Sequence, residues 1–390
     1  MVSQIISADS HIDMPWLPPK LFVENARPEF RDRVPYVEET AEGPYWTIKG
    51  GWEFATQRRI LSVNGAGAIG VPYSKGVSPR FDKFAETGLF VDGAKGVRRL
   101  TDVKLRIEDQ NYDGVRAEVL HGLTGIETWC PDNDVVAEIY RIYNEWLGSF
   151  CSERPDRFVG LACLTTRNPE YAVAEARRAR ENKLKGLLLY TIPGQYERCQ
   201  PFWHDSWDPI WAIADELDLP VHIHTTGGQA KLPPRSEGEH HFMRARAVAW
   251  SNFQIATTEQ LSALIFAGIC ERFPRIRICL GEFGLGWIPY MLDRMDEVWD
   301  TRNLRHDCGL SKKPSEYWRQ NFRGIVINEP LVGSLVDVLG AETLMFGNDF
   351  AHGDSIWPDT RQTFAETFGN LPQETQEQIA WKNAAQLYSI

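Results

Sequence analysis

Short apolar runs alternate with longer segments of helical periodicity from residue 108 onward, and one more apolar run lies at residues 5–8. The runs predict buried strands at 5–8, 115–120, 158–164, 185–190, 219–225, 276–281, 324–328 and 344–347. The periodic segments predict helices at 132–150, 168–181, 206–217, 257–273, 287–298, 330–339 and 374–388. This alternation predicts a parallel sheet, and eight units predict an α/β protein with a closed (β/α)8 TIM barrel. An open doubly wound sheet is the alternative.

Residues 20–107 show no clean periodicity and hold many Gly and Pro residues. We expect an irregular insertion or cap after strand 1, within a single barrel domain of residues 1–390. The span contains G-x-G-x-x-G at residues 65–70. A dinucleotide site needs these glycines to lead from a strand straight into a helix, and Pro72 and Gly76 disrupt any helix here. A flexible loop, placed to cover the active site, is the better interpretation.

Polar side chains of types used in catalysis follow the predicted strands. In (β/α)8 enzymes the carboxyl ends of the strands meet at one mouth, where the chemistry takes place. A single residue of this kind is weak evidence for a functional site. A full set is stronger evidence, because unpaired polar groups at the rim of an apolar core are costly. The residues at these ends are Asp9, His11, His121, Tyr190, His222, His224, Glu282, Asn328 and Asp349.

The first of these ends carries Asp9 and His11, which are separated by one residue. On an extended backbone, residues two apart point to the same side, so the two side chains can converge on one point. A carboxylate and a neutral imidazole suit a divalent metal such as zinc or manganese. The pair alone is not a site, and a turn-capping Asp9 beside an ordinary polar His11 is the alternative.

Three motifs resemble those of the amidohydrolase superfamily, in the branch that includes aminocarboxymuconate-semialdehyde decarboxylase and the dihydroxybenzoate decarboxylases. Asp-Ser-His-Ile at 9–12 resembles the His-x-His or Glu-x-His of that branch on strand 1. Pro-Val-His-Ile-His at 220–224 is similar to its Pro-Val-x-x-His on strand 5. Phe-Gly-Asn-Asp-Phe at 346–350 is similar to its Phe-Gly-Ser-Asp-Tyr on strand 8. The resemblance covers residues 1–20 and 110–390.

The resemblance implies that His224 is a metal ligand and that Asp349 is both a ligand and the catalytic acid/base. Two departures matter: Glu282 stands where the branch usually has a catalytic histidine, and no lysine ends strand 4 to support a binuclear centre. The simpler expectation is one divalent ion, Zn²⁺ or Mn²⁺, bound by Asp9, His11, His224 and Asp349. Ligand type does not choose between the two metals.

Other residues at or near the strand ends are assigned candidate roles. Glu282 is a catalytic candidate that could orient a ligand, act as a base or bind a second metal, with a structural carboxylate paired to an arginine as the alternative. His121, Tyr190 and His352 are candidates for substrate binding, although His352 could equally be a solvated loop residue. His222, one layer deeper than His224, is interpreted as a core or supporting histidine, and Asp13 as a turn residue.

Two reactions fit this set of residues. In a hydrolase, a metal lowers the pKa of a bound water and Asp349 moves its proton to the leaving group of an amide, lactone, ester or activated C–C bond. In the alternative, a non-hydrolytic decarboxylase, Asp349 protonates a ring carbon of an aromatic or unsaturated acid as CO₂ leaves. Because the strand-6 histidine is missing, the sequence favours the hydrolase slightly. A barrel that binds without turnover would have lost its metal ligands, and all four positions are filled.

Composition narrows the class of partner. With 43% hydrophobic and 24% charged residues, the chain is typical of a soluble globular protein. A net charge of -11 argues against binding to nucleic acid or to an anionic membrane. No apolar run approaches the roughly 20 residues of a membrane span, and no signal peptide is recognised. Seven cysteines without a C-x-x-C pair indicate reduced thiols in a cytoplasmic protein.

The expected partner is therefore a small molecule. The aromatic residues of the 20–107 span suggest a planar or apolar substrate such as an aromatic acid, and Arg58 or Arg59 could pair with its carboxylate. Members of the branch are usually dimers or larger, so we expect a homodimer or a larger homo-oligomer by analogy.

Overall fold

The computed structural model describes residues 2–52, 61–76, 78–190, 199–226, 232–302 and 304–390. Arg58 and Arg59 lie outside the described residues. The strands are β1 (Ile6–Ile12), β2 (Tyr36–Thr40), β3 (Gly43–Thr47), β4 (Leu61–Ser62), β5 (Ala117–Gly122), β6 (Phe158–Cys163), β7 (Gly186–Tyr190), β8 (Val221–His224), β9 (Ile278–Gly281), β10 (Phe322–Val326) and β11 (Leu344–Phe346).

Eight of these strands form one parallel sheet in the order β1-β5-β6-β7-β8-β9-β10-β11. The sheet closes on itself, because the Asp349 amide donates to the Asp9 carbonyl at 2.8 Å and the His11 amide donates to the Phe350 carbonyl at 2.6 Å. All side chains of β5, β6 and β7 are buried, as expected for strands covered on both faces. The predicted (β/α)8 TIM barrel is confirmed, and the open sheet is excluded.

Helices cover the outside of the barrel and occupy its loops. They are α1 (Leu21–Asn25), α2 (Pro79–Glu86), α3 (Leu89–Ala94), α4 (Val103–Asp113), α5 (Ile126–Trp129), α6 (Asn133–Glu153), α7 (Pro169–Glu181), α8 (Asp208–Leu217), α9 (Glu239–Ser251), α10 (Thr258–Phe266), α11 (Ile269–Arg272), α12 (Ile288–Thr301), α13 (Leu304–Asp307), α14 (Pro314–Asn321), α15 (Val336–Leu339), α16 (Thr360–Phe368), α17 (Gln373–Glu377) and α18 (Asn383–Tyr388). A π-helical turn, Gln378–Lys382, joins α17 to α18.

Local sequence explains where several helices begin and end. The side chain of Asn168 accepts hydrogen bonds from the first amides of α7, and Pro169 takes the first helical position, where its missing N–H costs nothing. Asp132 caps α6 in the same way. The helix predicted at 257–273 is divided into α10 and α11, because Gly268 adopts a left-handed conformation with φ of 66°.

The span between β1 and α4 has more regular structure than its sequence pattern indicates. It holds the antiparallel sheet β2-β3-β4 and three helices. Its apolar side chains, including Phe84 of α2, pack in a second core against Phe350 and Trp357, which follow β11. The span therefore rests on the loop that carries Asp349. Its status as one insertion within a single domain stays a prediction.

The glycines at 65–70 form a tight turn. The Ala66 amide donates to the Val71 carbonyl at 2.7 Å, and Gly67 and Gly70 both have positive φ. A Cβ atom on Gly65 would lie 2.2 Å from the Gly70 carbonyl oxygen. No helix follows within described residues 71–76, so the arrangement lacks the helix N-terminus that a dinucleotide site requires.

Candidate metal centre

Five side chains from four places in the barrel meet at the carboxyl ends of its strands. Asp9 and His11 come from β1, His121 from β5 and His224 from β8, while Asp349 lies three residues beyond β11. Each is at most 2% exposed. Because the strands are parallel, their carboxyl ends reach the same rim, which brings together residues up to 340 positions apart in sequence.

Donor atoms in this cluster lie close enough together to bind a metal ion: those of Asp9, His11 and His121 form one group within 4.8 Å, and those of His11, Asp349 and His352 form another. The Nε2 of His11 is 3.1 Å from an Asp9 carboxylate oxygen and 3.3 Å from one of Asp349. The Nδ1 of His121 lies 3.3 Å from Asp9, and the Nε2 of His224 lies 3.7 Å from it. Two ligand atoms that each lie about 2.1 Å from one ion, and that are not on opposite sides of it, are roughly 3.0–3.4 Å apart.

The same atoms form no hydrogen bond of acceptable geometry with the described residues, although one Asp349 oxygen has an ion-pair contact with Nδ1 of His352 at 2.9 Å. They are buried, and such groups are costly unless something satisfies them. The unpartnered atoms are both carboxylate oxygens of Asp9 and of Asp349, both ring nitrogens of His11, Nδ1 of His121 and Nε2 of His224. Each imidazole can give only one of its nitrogens to an ion, so these five side chains supply nitrogen and oxygen donors of the types that a divalent cation binds.

His224 is held in the tautomer that a metal ligand needs. Its Nδ1 lies 2.8 Å from the Thr225 carbonyl oxygen, which can only accept, so this nitrogen carries the proton. The Nε2 then faces Asp9, and it is the nitrogen that must lose its proton for a metal to bind. Burial lowers the pKa of His224, but the Asp9 carboxylate outweighs it and raises that pKa to about 9.

Asp9 is the anionic centre of the cluster. Burial alone raises its pKa, but the nearby rings of His121 and His224 hold the pKa of Asp9 well below its usual value. The carboxylate is therefore ionised across the physiological pH range, as metal binding requires. Gly281 of β9 makes room for it, because a Cβ there would lie 2.8 Å from the His224 ring and 3.3 Å from an Asp9 oxygen.

Asp349 adopts a left-handed backbone conformation with φ of 52°, which is uncommon for a residue other than glycine. The neighbouring Asn348 fixes this conformation. Its side-chain oxygen accepts hydrogen bonds from Ser7 and Ser10, both at 2.9 Å, and from the Phe350 amide at 3.2 Å. This network ties the loop after β11 to β1. The sequence pattern gave Asn348 no function, and its only signal was its position before Asp349.

The His352 ring lies between two carboxylates. Its Nδ1 is 2.9 Å from an oxygen of Asp349, and its Nε2 is 2.7 Å from one of Asp13. Burial lowers the pKa of His352, but the charge of Asp349 and the bond to Asp13 raise it well above the usual value. The ring also stacks on His11 with 3.8 Å between centroids. The geometry therefore places the His352 ring, with its raised pKa, directly beside the Asp349 carboxylate.

Asp13 lies in this cluster, although the sequence pattern indicated a turn residue. It is buried, and it also accepts a hydrogen bond from the Thr124 amide at 2.6 Å. The signal was present in the sequence, because residues 9, 11 and 13 alternate along β1 and the extended residue that follows it, and so can point to the same side.

Glu282 follows β9 at the edge of the cluster. Its carboxylate lies 3.9 Å from Nε2 of His224, and its side chain is 11% exposed. Burial and then the charge of Asp349 raise the pKa of Glu282 well above its usual value. Like Asp349, it has a positive φ, here 53°.

Two further residues singled out from the sequence lie beside the centre. The Tyr190 hydroxyl donates to the Gly122 carbonyl at 2.7 Å, and its ring meets the His224 ring edge-on. His222 lies one layer below His224, as expected, and its Nδ1 is 3.2 Å from Nε2 of His121. Contact of His121, Tyr190 and His352 with a substrate stays a prediction.

Comparison with known proteins places this centre in a family. The family model described as amidohydrolase matches residues 105–390, which is well over half of the chain. The chain belongs to the amidohydrolase family. The superfamily predicted from the strand-end motifs is thus confirmed.

Curated relatives in this family are decarboxylases. Gamma-resorcylate decarboxylase of a Rhizobium strain is 24% identical over 303 residues, which cover 75% of this chain and 88% of that protein. The enzyme of the same name from Rhodococcus jostii is 26% identical over 306 residues, with the same coverage. The hydrolase expected as the main function is therefore wrong, and the relatives support the alternative, decarboxylation. The error came from giving the missing strand-6 histidine too much weight.

Several solved structures share the fold of this amidohydrolase over nearly the whole chain. An amidohydrolase from Mycobacterium avium subsp. paratuberculosis superposes with a TM-score of 0.72 at 18% identity, covering 99% of both chains. A 5-carboxyvanillate decarboxylase from Novosphingobium aromaticivorans, complexed with manganese and 4-hydroxy-3-methoxy-5-nitrobenzoic acid, gives 0.66 at 18% identity and covers 99% and 96%. A 2,6-dihydroxybenzoate decarboxylase complexed with 2,6-dihydroxybenzoate gives 0.61 at 16% identity and covers both chains fully.

Among the described helices, none combines the length and the apolar character that a bilayer crossing requires.

Proposed function

We propose that this amidohydrolase is a metal-dependent decarboxylase of a small aromatic acid. The observation that carries the proposal is the convergence of five buried side chains with unpartnered donor atoms at the mouth of the barrel. The curated relatives that match three quarters of the chain are decarboxylases, which supports the reaction type.

One divalent ion, bound by Asp9, His11, His224 and Asp349, is the proposed cofactor. Two imidazoles and two carboxylates suit Mn²⁺ and Zn²⁺, and manganese is present in the Novosphingobium decarboxylase structure. When bound, such an ion supplies positive charge that attracts the oxygens of an acid and stabilises negative charge on the reacting substrate.

The chain's own residues supply the proton. Breaking the bond between the ring and its carboxylate leaves an electron pair on the ring carbon, and a proton must form the new C–H bond as CO₂ departs. Asp349 delivers that proton, and His352, 2.9 Å away and fixed by Asp13, restores it. Glu282, held neutral at the edge of the centre, donates a hydrogen bond to an oxygen of the substrate.

A substrate panel tests the reaction type. Hydroxybenzoates that carry a carboxylate next to a hydroxyl should release CO₂ with the Mn²⁺-loaded enzyme, and D349N should lower kcat by at least 10³-fold. Benzoates without the hydroxyl are the matched controls. Release of a product that contains solvent oxygen, with no CO₂, would overturn the proposal.

Two further expectations accompany it. We propose a homodimer or larger assembly and a cytoplasmic location, as expected from the branch and from the reduced cysteines. Size-exclusion chromatography with light scattering measures the first, and a single monomer peak at micromolar concentration would contradict it.

A further inference from the structure

His121 occupies a barrel position that the four-ligand set of the proposed function leaves unused. In the β1–β5 pair it stands directly opposite His11, and parallel neighbours in register point their side chains to the same side. Its ring centroid is 5.3 Å from those of both His11 and His224. It is fully buried. Three imidazoles therefore surround the same point.

The two ring nitrogens of His121 have different surroundings. The Nε2 lies 3.2 Å from Nδ1 of His222, whose own Nε2 lies 2.6 Å from the Tyr388 hydroxyl. The Nδ1 faces Asp9 at 3.3 Å but forms no hydrogen bond with any described residue.

This chain of contacts decides which nitrogen carries the proton. Only one proton can lie between Nε2 of His121 and Nδ1 of His222, so one ring donates and the other accepts. Either His222 donates toward the metal centre, or His121 donates away from it. If His222 donated toward the metal centre, the N–H at Nδ1 of His121 would face the Asp9 carboxylate at 3.3 Å without the geometry of a hydrogen bond. If His121 donates instead, its Nε2 donates a hydrogen bond to His222 and His222 donates one to Tyr388. The Nδ1 of His121 then has a free lone pair.

We propose that Nδ1 of His121 is a fifth ligand of the metal ion, and that His222 and Tyr388 hold His121 in the tautomer that binds it. The inference rests on the metal site of the proposed function, and it replaces the substrate contact predicted for His121. Three imidazoles and two carboxylates exceed the four ligands typical of zinc in proteins. The set therefore favours a metal of higher coordination number such as Mn²⁺, with one position open for substrate.

Pulsed electron paramagnetic resonance of the Mn²⁺-loaded, ¹⁵N-histidine-labelled enzyme tests the proposal without relying on activity. The wild-type enzyme should show three coordinated imidazole nitrogens, and H121N should show two, with Mn²⁺ affinity at least 10-fold weaker. Y388F should keep three nitrogens but bind Mn²⁺ about 10-fold more weakly, the effect typical of groups that support a ligand. H240N, at an exposed histidine of α9, is the matched control and should change neither quantity.

A wild-type count of two nitrogens, or an H121N enzyme with an unchanged count, would overturn the proposal, as would an absence of Mn²⁺ uptake. The wild-type count needs no variant, so it tests the fifth ligand even if H121N misfolds. The two proposals can fail separately. Three nitrogens without CO₂ release would refute only the decarboxylase, and CO₂ release with two nitrogens would refute only the fifth ligand.

Discussion

The side-chain oxygen of Asn348 lies 2.9 Å from the hydroxyl of Ser10, so the residue before Asp349 is tied to the strand that carries Asp9 and His11. This contact, together with the bond from Ser7, sets the distance between the two ends of the barrel sheet. It also fixes a left-handed backbone at Asp349 that the chain would not adopt freely.

N348A should therefore weaken both the fold and the metal site. The substitution removes the oxygen that accepts from Ser7, Ser10 and the Phe350 amide. The two hydroxyls keep other acceptors, so the main cost is that of the buried amide, about 1–3 kcal/mol of unfolding free energy. Chemical denaturation and Mn²⁺ titration measure the two effects. N370A, at an exposed asparagine, is the control and should stay within about 0.5 kcal/mol. Equal stability of N348A and the wild type would show that the network does not hold Asp349.

G281A should disturb the metal centre through steric contact alone. The added Cβ would lie 2.8 Å from the His224 ring, so the ring must move away from Asp9. We expect metal affinity to fall at least 10-fold. G286A is a matched control five residues later, because its Cβ would meet only Leu331 at an ordinary 3.4 Å. Calorimetric titration with Mn²⁺ compares the two variants, and similar affinities would contradict the placement of His224.

D13N should slow the reaction without emptying the metal site. Asp13 holds Nε2 of His352 at 2.7 Å, and its negative charge helps to keep that ring protonated beside Asp349. We expect kcat to fall by about 10–100-fold, the scale of a general acid–base contribution, and metal content to stay unchanged. Steady-state kinetics and elemental analysis on the same preparation check this. Loss of metal in D13N would show that Asp13 acts on the ligands instead.

The pKa of Glu138 in α6 predicts how the stability of the fold changes at acidic pH. Burial raises its pKa, but bonds from Arg141 and Arg27 outweigh it and lower the pKa of Glu138 to about 2. The folded state thus binds fewer protons than the unfolded state, whose glutamates titrate near 4.5. The stability that Glu138 contributes is present above about pH 4.5 and is lost as the pH falls toward about 2.

E138Q should cost about 2 kcal/mol at pH 7 and progressively less below about pH 4.5. E145Q is the matched control, because Glu145 also contacts Arg141 but is 44% exposed, and its loss should cost under about 0.5 kcal/mol. Urea unfolding at several pH values measures both variants. A constant difference between E138Q and the wild type from pH 7 to 3 would contradict the assigned pKa.

The barrel could be predicted from sequence because periodicity records which faces are buried, and the eight strands lie within a few residues of their predicted bounds. The convergence of Asp9, His11, His224 and Asp349 followed from barrel geometry, since parallel strands share one rim. The order within residues 20–107 was missed, because the sheet β2-β3-β4 is short and only partly buried and so carries little alternation.

The supporting contacts could not be predicted in the same way. The bonds of Asn348 to Ser7, and of His222 to Tyr388, join residues 341 and 166 positions apart, and no local pattern records such distances. Glu282 shows a different limit. A residue type at one strand end does not decide between hydrolysis and decarboxylation, because the reaction depends on where the substrate bond lies relative to Asp349.

The central claim is that decarboxylation depends on the metal held at this mouth. The most direct measurement is release of ¹³CO₂ from a carboxyl-labelled 2-hydroxybenzoate, before and after chelation and again after Mn²⁺ is restored. We predict release that is lost on chelation and regained with Mn²⁺. Release that survives complete removal of the metal, confirmed by elemental analysis, would contradict the claim.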